Sequence, residues 1–383
     1  MNGGQTPVLI EVSVFEGITL MEIRLLSDSQ SFEDLWAPWN KLLPQNPIQD
    51  VFYTWEWLYA WWKHYGKQHE LWLITAWHSD ELIGIAPLML VERRKYGLKF
   101  RVLCNIGTPD VDVGGFIIQD GNPQIYTAIG NYLITRERLW DVLELNEINS
   151  DGLETFHLIP QFENSGYIAF QRSNPHFYIP ICNTWKEYLD HIDSKFRREV
   201  RSKIRKIEGQ SRLTLVHHFG REVTWQDIST VFEINEHGHY PYLYRSSVER
   251  SFQREIFELM RGQSWLNLYL LYIDDRPVAY NYGFTYNNRF EDWRVGFNTQ
   301  YAGLSLGKIL YLMTIEDCFK RGFREIDFLC GDEHYKTRWQ TLERAYTQLR
   351  FVPRNRLAPL VAYVWPPKLR ALLNRSQEKN PPV

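Results

Sequence analysis

Two stretches of this chain match in pattern when one is shifted by 195 residues, and that repeat limits the possible fold more than any other feature. In the first stretch, apolar runs Leu71 to Trp77 and Leu82 to Leu90 flank the polar turn His78-Ser79-Asp80. In the second, Leu266 to Ile273 and Pro277 to Phe284 flank Asp274-Asp275. The shift lays Leu71 on Leu266, Asp80 on Asp275, Ile83 on Val278 and Gly84 on Ala279 without a gap. Apolar runs around a short polar turn predict a hairpin. A helical pattern precedes each hairpin. Trp55, Leu58, Tyr59 and Trp62 mark the first, and Phe252, Ile256, Phe257 and Met260 the second. After each hairpin come more strand sequence, a helix (Gln124 to Thr135; Leu306 to Lys320) and a buried strand (Trp140 to Leu145; Glu325 to Leu329). This order predicts an α/β unit with a mixed sheet, built twice.

Met21 to Leu25 alternates like a strand, and Ser29 or Ser31 then caps a helix carrying Leu35, Trp36, Trp39 and Leu42. Ser173-Asn174-Pro175 has turn composition. The expected division is an N-terminal domain over residues 21–173, a C-terminal domain over 176–355, and a C-terminal arm over 356–383, apolar from Leu357 to Leu373 and polar from Gln377 on.

At 383 residues with a net charge of −3, the chain is not a generally basic nucleic-acid binder, and no nucleic-acid partner is expected. Its longest apolar run, Leu357 to Trp365, is interrupted by Pro359 and falls short of the ~20 residues of a membrane span. Met1 to Leu20 lacks the basic stretch and apolar core of a signal peptide, which points to the cytoplasm. Cys104, Cys182, Cys318 and Cys330 lie far apart without a CxxC pair and read as buried free thiols. His217-His218 and His237-Gly238-His239 stand beside no recognised ligand spacing, so no metal is expected. No Gly-x-Ser-x-Gly elbow supports serine-hydrolase chemistry.

Two strings carry the chemistry. Gln300-Tyr301-Ala302-Gly303-Leu304-Ser305-Leu306-Gly307 follows a strand, Arg289 to Phe297, and opens a helix. Small residues let backbone approach a ligand, and free N–H groups at a helix start suit a pyrophosphate. The second string, Asp327 to Trp339, places Asp332, Glu333, His334, Tyr335 and Lys336 directly after a buried strand. Ligands of open α/β sheets sit at such strand ends. These residues could supply a base, an acid or a phosphate contact, or simply a solvated helix start.

The first string resembles the acyl-CoA loop of the GNAT N-acetyltransferases, Gln/Arg-x-x-Gly-x-Gly/Ala. Gln300 and Gly303 match, Ser305 departs at the last position, and Gly307 extends the likeness. The second, Asp-Phe-Leu-x-Gly-Asp-Glu-x-Tyr-Lys-x-x-Trp, is similar to the signature of the CelD-like acyltransferases of cellulose and exopolysaccharide biosynthesis. The resemblance spans roughly Met21 to Pro353. It implies two fused GNAT-like (acyl-CoA N-acyltransferase) domains, related in architecture to the Fem-type aminoacyltransferases. It also implies acyl transfer from acetyl-CoA or another acyl-CoA to an amine or hydroxyl of a sugar, amino-acid or envelope-related acceptor. On that reading Gln300, Gly303, Ser305 and Gly307 hold the pyrophosphate. Glu333 or Asp332 is the base, Tyr335 protonates the leaving thiolate, and Lys336 contacts phosphate or acceptor.

The first copy lacks the Gln-x-x-Gly-x-Gly string. Asp110 and Asp112 there are either turn formers or acceptor contacts; Asp112 matches an acidic position of the family. The run Lys195 to Lys206 is an amphipathic helix with a basic outer face, either solvated or facing a phosphate, an anionic sugar or a membrane surface. His237, His239, Tyr240, Tyr242 and Tyr244 could cap the acyl site. Two alternatives are a Fem-type transferase fed by aminoacyl-tRNA and a non-catalytic polysaccharide-assembly protein.

Overall fold

The computed structural model describes residues 8–14, 17–331, 334–339 and 341–365, with backbone alone over 8–14, 17–20 and at His334. The chain divides into two units. One holds residues up to Asn174 together with those from Ala345 onward; the other runs from Pro175 to Arg344.

The sheet of the first unit begins with β1 (Val8–Val14), β2 (Gly17–Leu26), β3 (Glu70–His78), β4 (Glu81–Lys95) and β5 (Leu98–Asn105). Short β6 (Ile117–Ile118) pairs with β4, and β7 (Val142–Asn149) and β8 (Tyr167–Ser173) follow. Each neighbour from β1 to β5 is antiparallel, and β7 then joins β5 in parallel. Between β7 and β8 lies a strand from far down the chain, Tyr346–Pro353. Helices Pro123–Thr135 and Leu153–Asn164 turn Ile125, Ile129, Leu133, Leu158 and Phe162 onto Ile74, Leu103, Leu143 and Phe351.

The second unit repeats the plan. Its strands are β9 (His176–Pro180), β10 (Leu213–Phe219), β11 (Leu266–Ile273), β12 (Arg276–Tyr286), β13 (Arg289–Phe297), β14 (Glu325–Cys330) and β15 (Leu342–Arg344). Their order is β10-β11-β12-β13-β14-β9-β15, with β13 and β14 parallel. Leu306, Ile309, Leu310 and Ile315 of the helix Leu306–Arg321 pack on Tyr269, Leu271 and Phe290 from one face.

The two hairpins agree in backbone detail. Ser79 and Asp274, equivalent under the 195-residue shift, both take left-handed φ values of 55° in the turn. Each hairpin has a register irregularity at matching positions, after Ala76 and after Leu271. Leu71 faces Met89 as Leu266 faces Phe284. The sheet class expected from the pattern is therefore the one found, twice.

Four expectations need correction. The cap of the first helix is Asp28, not Ser29 or Ser31, and the expected single helix is two, Ser29–Asp34 and Trp36–Leu42. Strand pairing begins before Met21, because Gly17–Leu26 is one strand and pairs with Val8–Val14. Tyr346–Pro353, read as the end of the second domain, belongs to the first sheet, where it bonds β7 and β8 along both edges. The helix Leu357–Tyr363 of the expected arm packs there too, with the Tyr363 ring 5.5 Å from that of Phe100; the arm from 366 on lies outside the described residues. Of the four thiols, Cys104 and Cys318 are buried, but Cys182 is exposed and Cys330 half-buried. Burial pushes the Cys104 thiol up to about 12. Among the described residues no helix is long and apolar enough to cross a membrane.

Candidate active site

β13 and β14 share three residue pairs, Arg289–Glu291 with Glu325–Asp327, and then separate. Beyond Asp327, β14 turns away at an irregularity in its pairing with β9. A cleft of about 450 Å³ opens beside the parted strands. Val295, Gly296 and Phe297 of β13 form one wall, and Ser305 with Gly307, Lys308 and Tyr311 of the helix it precedes another. Trp339, Phe196 and Tyr335 line the far side, with His239 and Tyr240 at the edge. The aromatic lining suits an apolar chain running along β13.

The loop entering the helix is short and irregular. Asn298 caps a 3-10 turn over Thr299–Leu304, its side chain accepting from the Gln300 N–H at 2.9 Å. Ser305 is left-handed (φ 61°), and its side chain gives the helix Leu306–Arg321 no cap. The first N–H groups of that helix are thus left without a side-chain acceptor where Ser305 and Gly307 meet the cleft, and the positive end of the dipole lies there. A Cβ added at Gly303 would meet nothing within 4 Å. The fold itself does not require glycine at this position, so a demand for it would come from a ligand.

Cations gather beside the loop. Lys203 Nζ donates to the Gly303 carbonyl at 3.2 Å, and Lys308 pairs with Glu199 at 2.5 Å. That bond to Lys308 lowers the Glu199 carboxyl. Arg338 stands over the Phe196 ring at 4.7 Å. Phe196, Glu199 and Lys203 come from the basic helix Ser194–Glu208, whose inner side meets the loop. Arg198, Arg201 and Arg205 lie exposed on it.

The second string is tied down around the end of β14. Asp327 Oδ1 accepts from the Leu329 N–H at 2.8 Å, and Asp327 Oδ2 takes Arg344 at 2.9 Å. Arg344 also pairs with Glu325. Leu329 is buried with a left-handed φ of 57°, a conformation that a leucine holds only under constraint. Lys336 supplies part of that constraint. Its ammonium donates to the carbonyls of Cys330 at 2.7 Å, Gly331 at 3.3 Å and Leu329 at 3.5 Å. Trp339 closes the floor, edge-on to Phe196, with its own carbonyl held by the Tyr188 hydroxyl at 2.6 Å.

The candidates therefore separate. Ser305, Gly307 and Tyr335 line the cleft. Gln300 and Gly303 are exposed on the turn before it. Lys336 is 3% exposed and committed to backbone carbonyls, so it anchors a strand end rather than presenting a charge to phosphate or acceptor. Asp332 and Glu333 lie outside the described residues. Asp112 is in the first unit, half-buried between buried Val111 and Val113, and Asp110 beside it is exposed. Of the aromatic and histidine loop, His239 and Tyr240 reach the cleft, whereas Tyr244 is buried.

Tyr311 and Asp292 are among the residues of the site that were not foreseen. Tyr311 stands four positions after Gly307, hence on the same helix face. Its hydroxyl donates to Asp292 Oδ2 at 2.7 Å. The i, i+4 spacing from the small-residue loop was the available signal for Tyr311. Asp292, inside a strand, offered none.

A larger depression of about 850 Å³ lies on the first unit near Tyr59, Trp62 and Arg101. The helix start beside it is capped by the Asp28 carboxylate, which accepts from the Ser31 N–H at 2.8 Å. A carboxylate there disfavours a second anion, so the cleft in the second unit is the better candidate.

Known proteins agree on the fold. The chain resembles the crystal structure of FemX with a TM-score of 0.56 at 10% identity, covering 88% of this chain and 98% of that one. It resembles the C-terminal domain of a protein described as a lysylphosphatidylglycerol synthetase from Agrobacterium fabrum, with a TM-score of 0.51 at 8% identity, over 91% and 96% of the two chains. At such identities the likeness speaks for the fold alone. Among curated proteins no sequence matches. The finer finding is local: residues 194–337 match the model of the Acetyltransferase (GNAT) domain, a span that holds the loop, the helix behind it and all of the cleft lining except Arg338 and Trp339. The CelD-like signature finds no separate counterpart in these comparisons.

Proposed function

We propose that the protein transfers an acyl group from an acyl-CoA to an amine, in the cleft of the second unit. One observation carries this reading: the parted parallel strands open an apolar cleft whose rim is a helix start without a side-chain cap. The pyrophosphate of CoA sits at Ser305 to Gly307, with Lys203 and Lys308 nearby to offset its charge. The pantetheine arm runs along β13 beyond Glu291, where pairing to β14 has ended. Backbone N–H groups on that edge polarise the thioester carbonyl, and the aromatic walls hold thioester and amine together while excluding water. The cleft exceeds the needs of an acetyl group, so larger apolar acyl groups or an acceptor with an apolar portion fit it. The acceptor belongs to the sugar, amino-acid or envelope-precursor amines of the cytoplasm.

A second reading draws the acyl group from an aminoacyl-tRNA. The exposed Arg198, Arg201 and Arg205 on the helix that meets the loop favour it. Calorimetry with acetyl-CoA separates the two. Gly303→Glu puts a carboxylate at the pyrophosphate position, in open space, so the fold should survive while affinity drops by more than ~2 kcal/mol, about 30-fold. A variant that binds acetyl-CoA like the wild type would place the site elsewhere. A wild-type protein that binds no CoA returns the question to tRNA.

A further inference from the structure

Three side chains form a line from the cleft into the second unit. Tyr335 lines the cleft, and its hydroxyl is 3.2 Å from that of Tyr311. The two rings stack with centroids 5.4 Å apart. The Tyr311 hydroxyl in turn donates to Asp292 Oδ2 at 2.7 Å. A phenol has one proton to give. Since that of Tyr311 goes to the carboxylate, Tyr335 is the donor in the outer bond. Both protons therefore point away from the cleft and toward Asp292. Asp292 is buried and is the first residue of β13 past the last pair shared with β14, three positions before Val295 enters the cleft lining.

We infer that this line is the proton exit of the transferase reaction, with Tyr335 meeting the acceptor amine and Asp292 the final proton acceptor. The inference rests on the acyl-transfer reading above. The amine nitrogen attacks the thioester carbonyl; a C–N bond forms, the C–S bond breaks, and its electron pair leaves on sulfur. The proton lost by nitrogen passes to Tyr335 Oη, that of Tyr335 to Tyr311 Oη, and that of Tyr311 to Asp292 Oδ2. The products are an amide, a CoA thiolate and a protonated Asp292. Return of one proton along the same line to sulfur yields the thiol and restores the carboxylate. Burial holds the Tyr311 phenol well above its usual range, reinforced by Asp292 and Tyr335. Tyr311 thus does not rest as a phenolate; it gives one proton as it takes another. Tyr335 is the catalytic residue here, and Tyr311 and Asp292 act through it.

The same bonds could serve merely to pin the helix Leu306–Arg321 to β13, so the test must separate transfer from support. Thiol release from acetyl-CoA is followed with water and with a set of simple primary amines as acceptors. Acetyl-CoA binding is measured by calorimetry on the same preparations. The proteins are wild type, Tyr311→Phe, Asp292→Asn and the double variant. The expected result is a fall in kcat of about 100-fold in each single variant, with KM and Kd for acetyl-CoA within about twofold. The double variant should be no slower than the singles, because one line is cut in either place. The dependence of kcat on deuterium content should be curved in the wild type, where several protons move, and straight in Tyr311→Phe. If Asp292→Asn does not fold, Tyr311→Phe and its deuterium response decide alone.

Losses that multiply in the double variant, a raised KM with unchanged kcat, or wild-type rates in either single variant would overturn the proton line and leave acyl transfer standing. A wild type that binds acetyl-CoA yet releases no thiol to any acceptor overturns the line together with the proposed chemistry. A wild type that binds no acetyl-CoA overturns the acyl-CoA reading itself.

Discussion

Each unit contains a pair of parallel strands that run together for three residue pairs and then part, and the two gaps have opposite fates. In the first unit Val102–Cys104 pairs with Val142–Glu144; in the second Arg289–Glu291 pairs with Glu325–Asp327. Both runs end on an acid held by arginine. Glu144 takes Arg93 and Arg350, each at 2.6 Å, and Asp327 takes Arg344 at 2.9 Å. Past that point the first gap is filled by its own loop. Ile106, Val111, Val113 and Phe116 are buried in it, the Gly114 N–H donates to the Glu147 carbonyl at 2.9 Å, and a void of about 10 Å³ remains. In the second unit the matching segment, Asn298 to Ser305, stays at the rim, and Lys336 holds the carbonyls at the end of β14. About 450 Å³ stays open. Parted strands are thus a scaffold and not yet a site. The loop decides, through whether it carries enough apolar side chains to occupy the gap.

The largest expected effect tests the shared part of the scaffold. Glu144→Gln leaves two arginines facing a neutral group in a buried place and should cost about 3–5 kcal/mol in chemical denaturation. Burial alone would raise the Glu144 carboxyl, but Arg93 and Arg350 outweigh it and hold the group below the usual carboxylate range. Its folded value being depressed, its contribution is full above the ordinary range and is lost as pH falls through the folded value. The variant should therefore lose less stability on acidification than the wild type. An equal acid response in both proteins would deny the pair this role.

Next in size is a contrast between two glycines. At Gly115 a Cβ would lie 2.2 Å from Tyr53 Oη and 2.8 Å from Glu154 Oε1. Gly115→Ala should cost about 3 kcal/mol through that clash. Gly303→Ala, with open space around it, should stay within ~0.5 kcal/mol. Similar costs for the two would break the distinction between a filled gap and an open one.

Lys336→Gln should lower stability by about 1–3 kcal/mol, since carbonyls at the end of β14 lose their donor. It should also reduce thiol release from acetyl-CoA more than acetyl-CoA affinity. A variant as stable and as active as the wild type would show that Leu329 keeps its backbone without the ammonium.

The smallest effect concerns the outer face of the basic helix. Replacing Arg198, Arg201 and Arg205 by Gln should leave stability nearly unchanged and flatten the salt dependence of association with vesicles rich in anionic lipid. An unaltered salt response would leave this face merely solvated.

What the sequence made legible was local. Both hairpins and the position of the chemical strings follow from apolar spacing and turn residues, which act over a few neighbours. The first helix cap does not, because Asp28, Ser29 and Ser31 are all good caps and only the fold selects Asp28. The destination of Tyr346–Pro353 was not legible, because its alternation is the same whichever sheet receives it. Lys336 reads as a phosphate or acceptor contact until three carbonyls are seen around its ammonium. Asp292 stands in a charged stretch, Arg289-Phe290-Glu291-Asp292, and only the fold shows which carboxylate meets Tyr311. Asp112 and the open loop differ for the same reason: turn composition does not say whether a loop folds inward.

The late strand has a consequence for how the molecule is put together. β9 and β15, the first and last strands of the second unit, pair side by side, His176 with Arg344 and Tyr178 with Leu342. The chain therefore enters and leaves that unit at one place, as an inserted domain does. The first sheet, by contrast, stays open between β7 and β8 until residues 346–353 arrive. During synthesis from the N-terminus the second unit can close first, and the half that begins the chain is the one completed last.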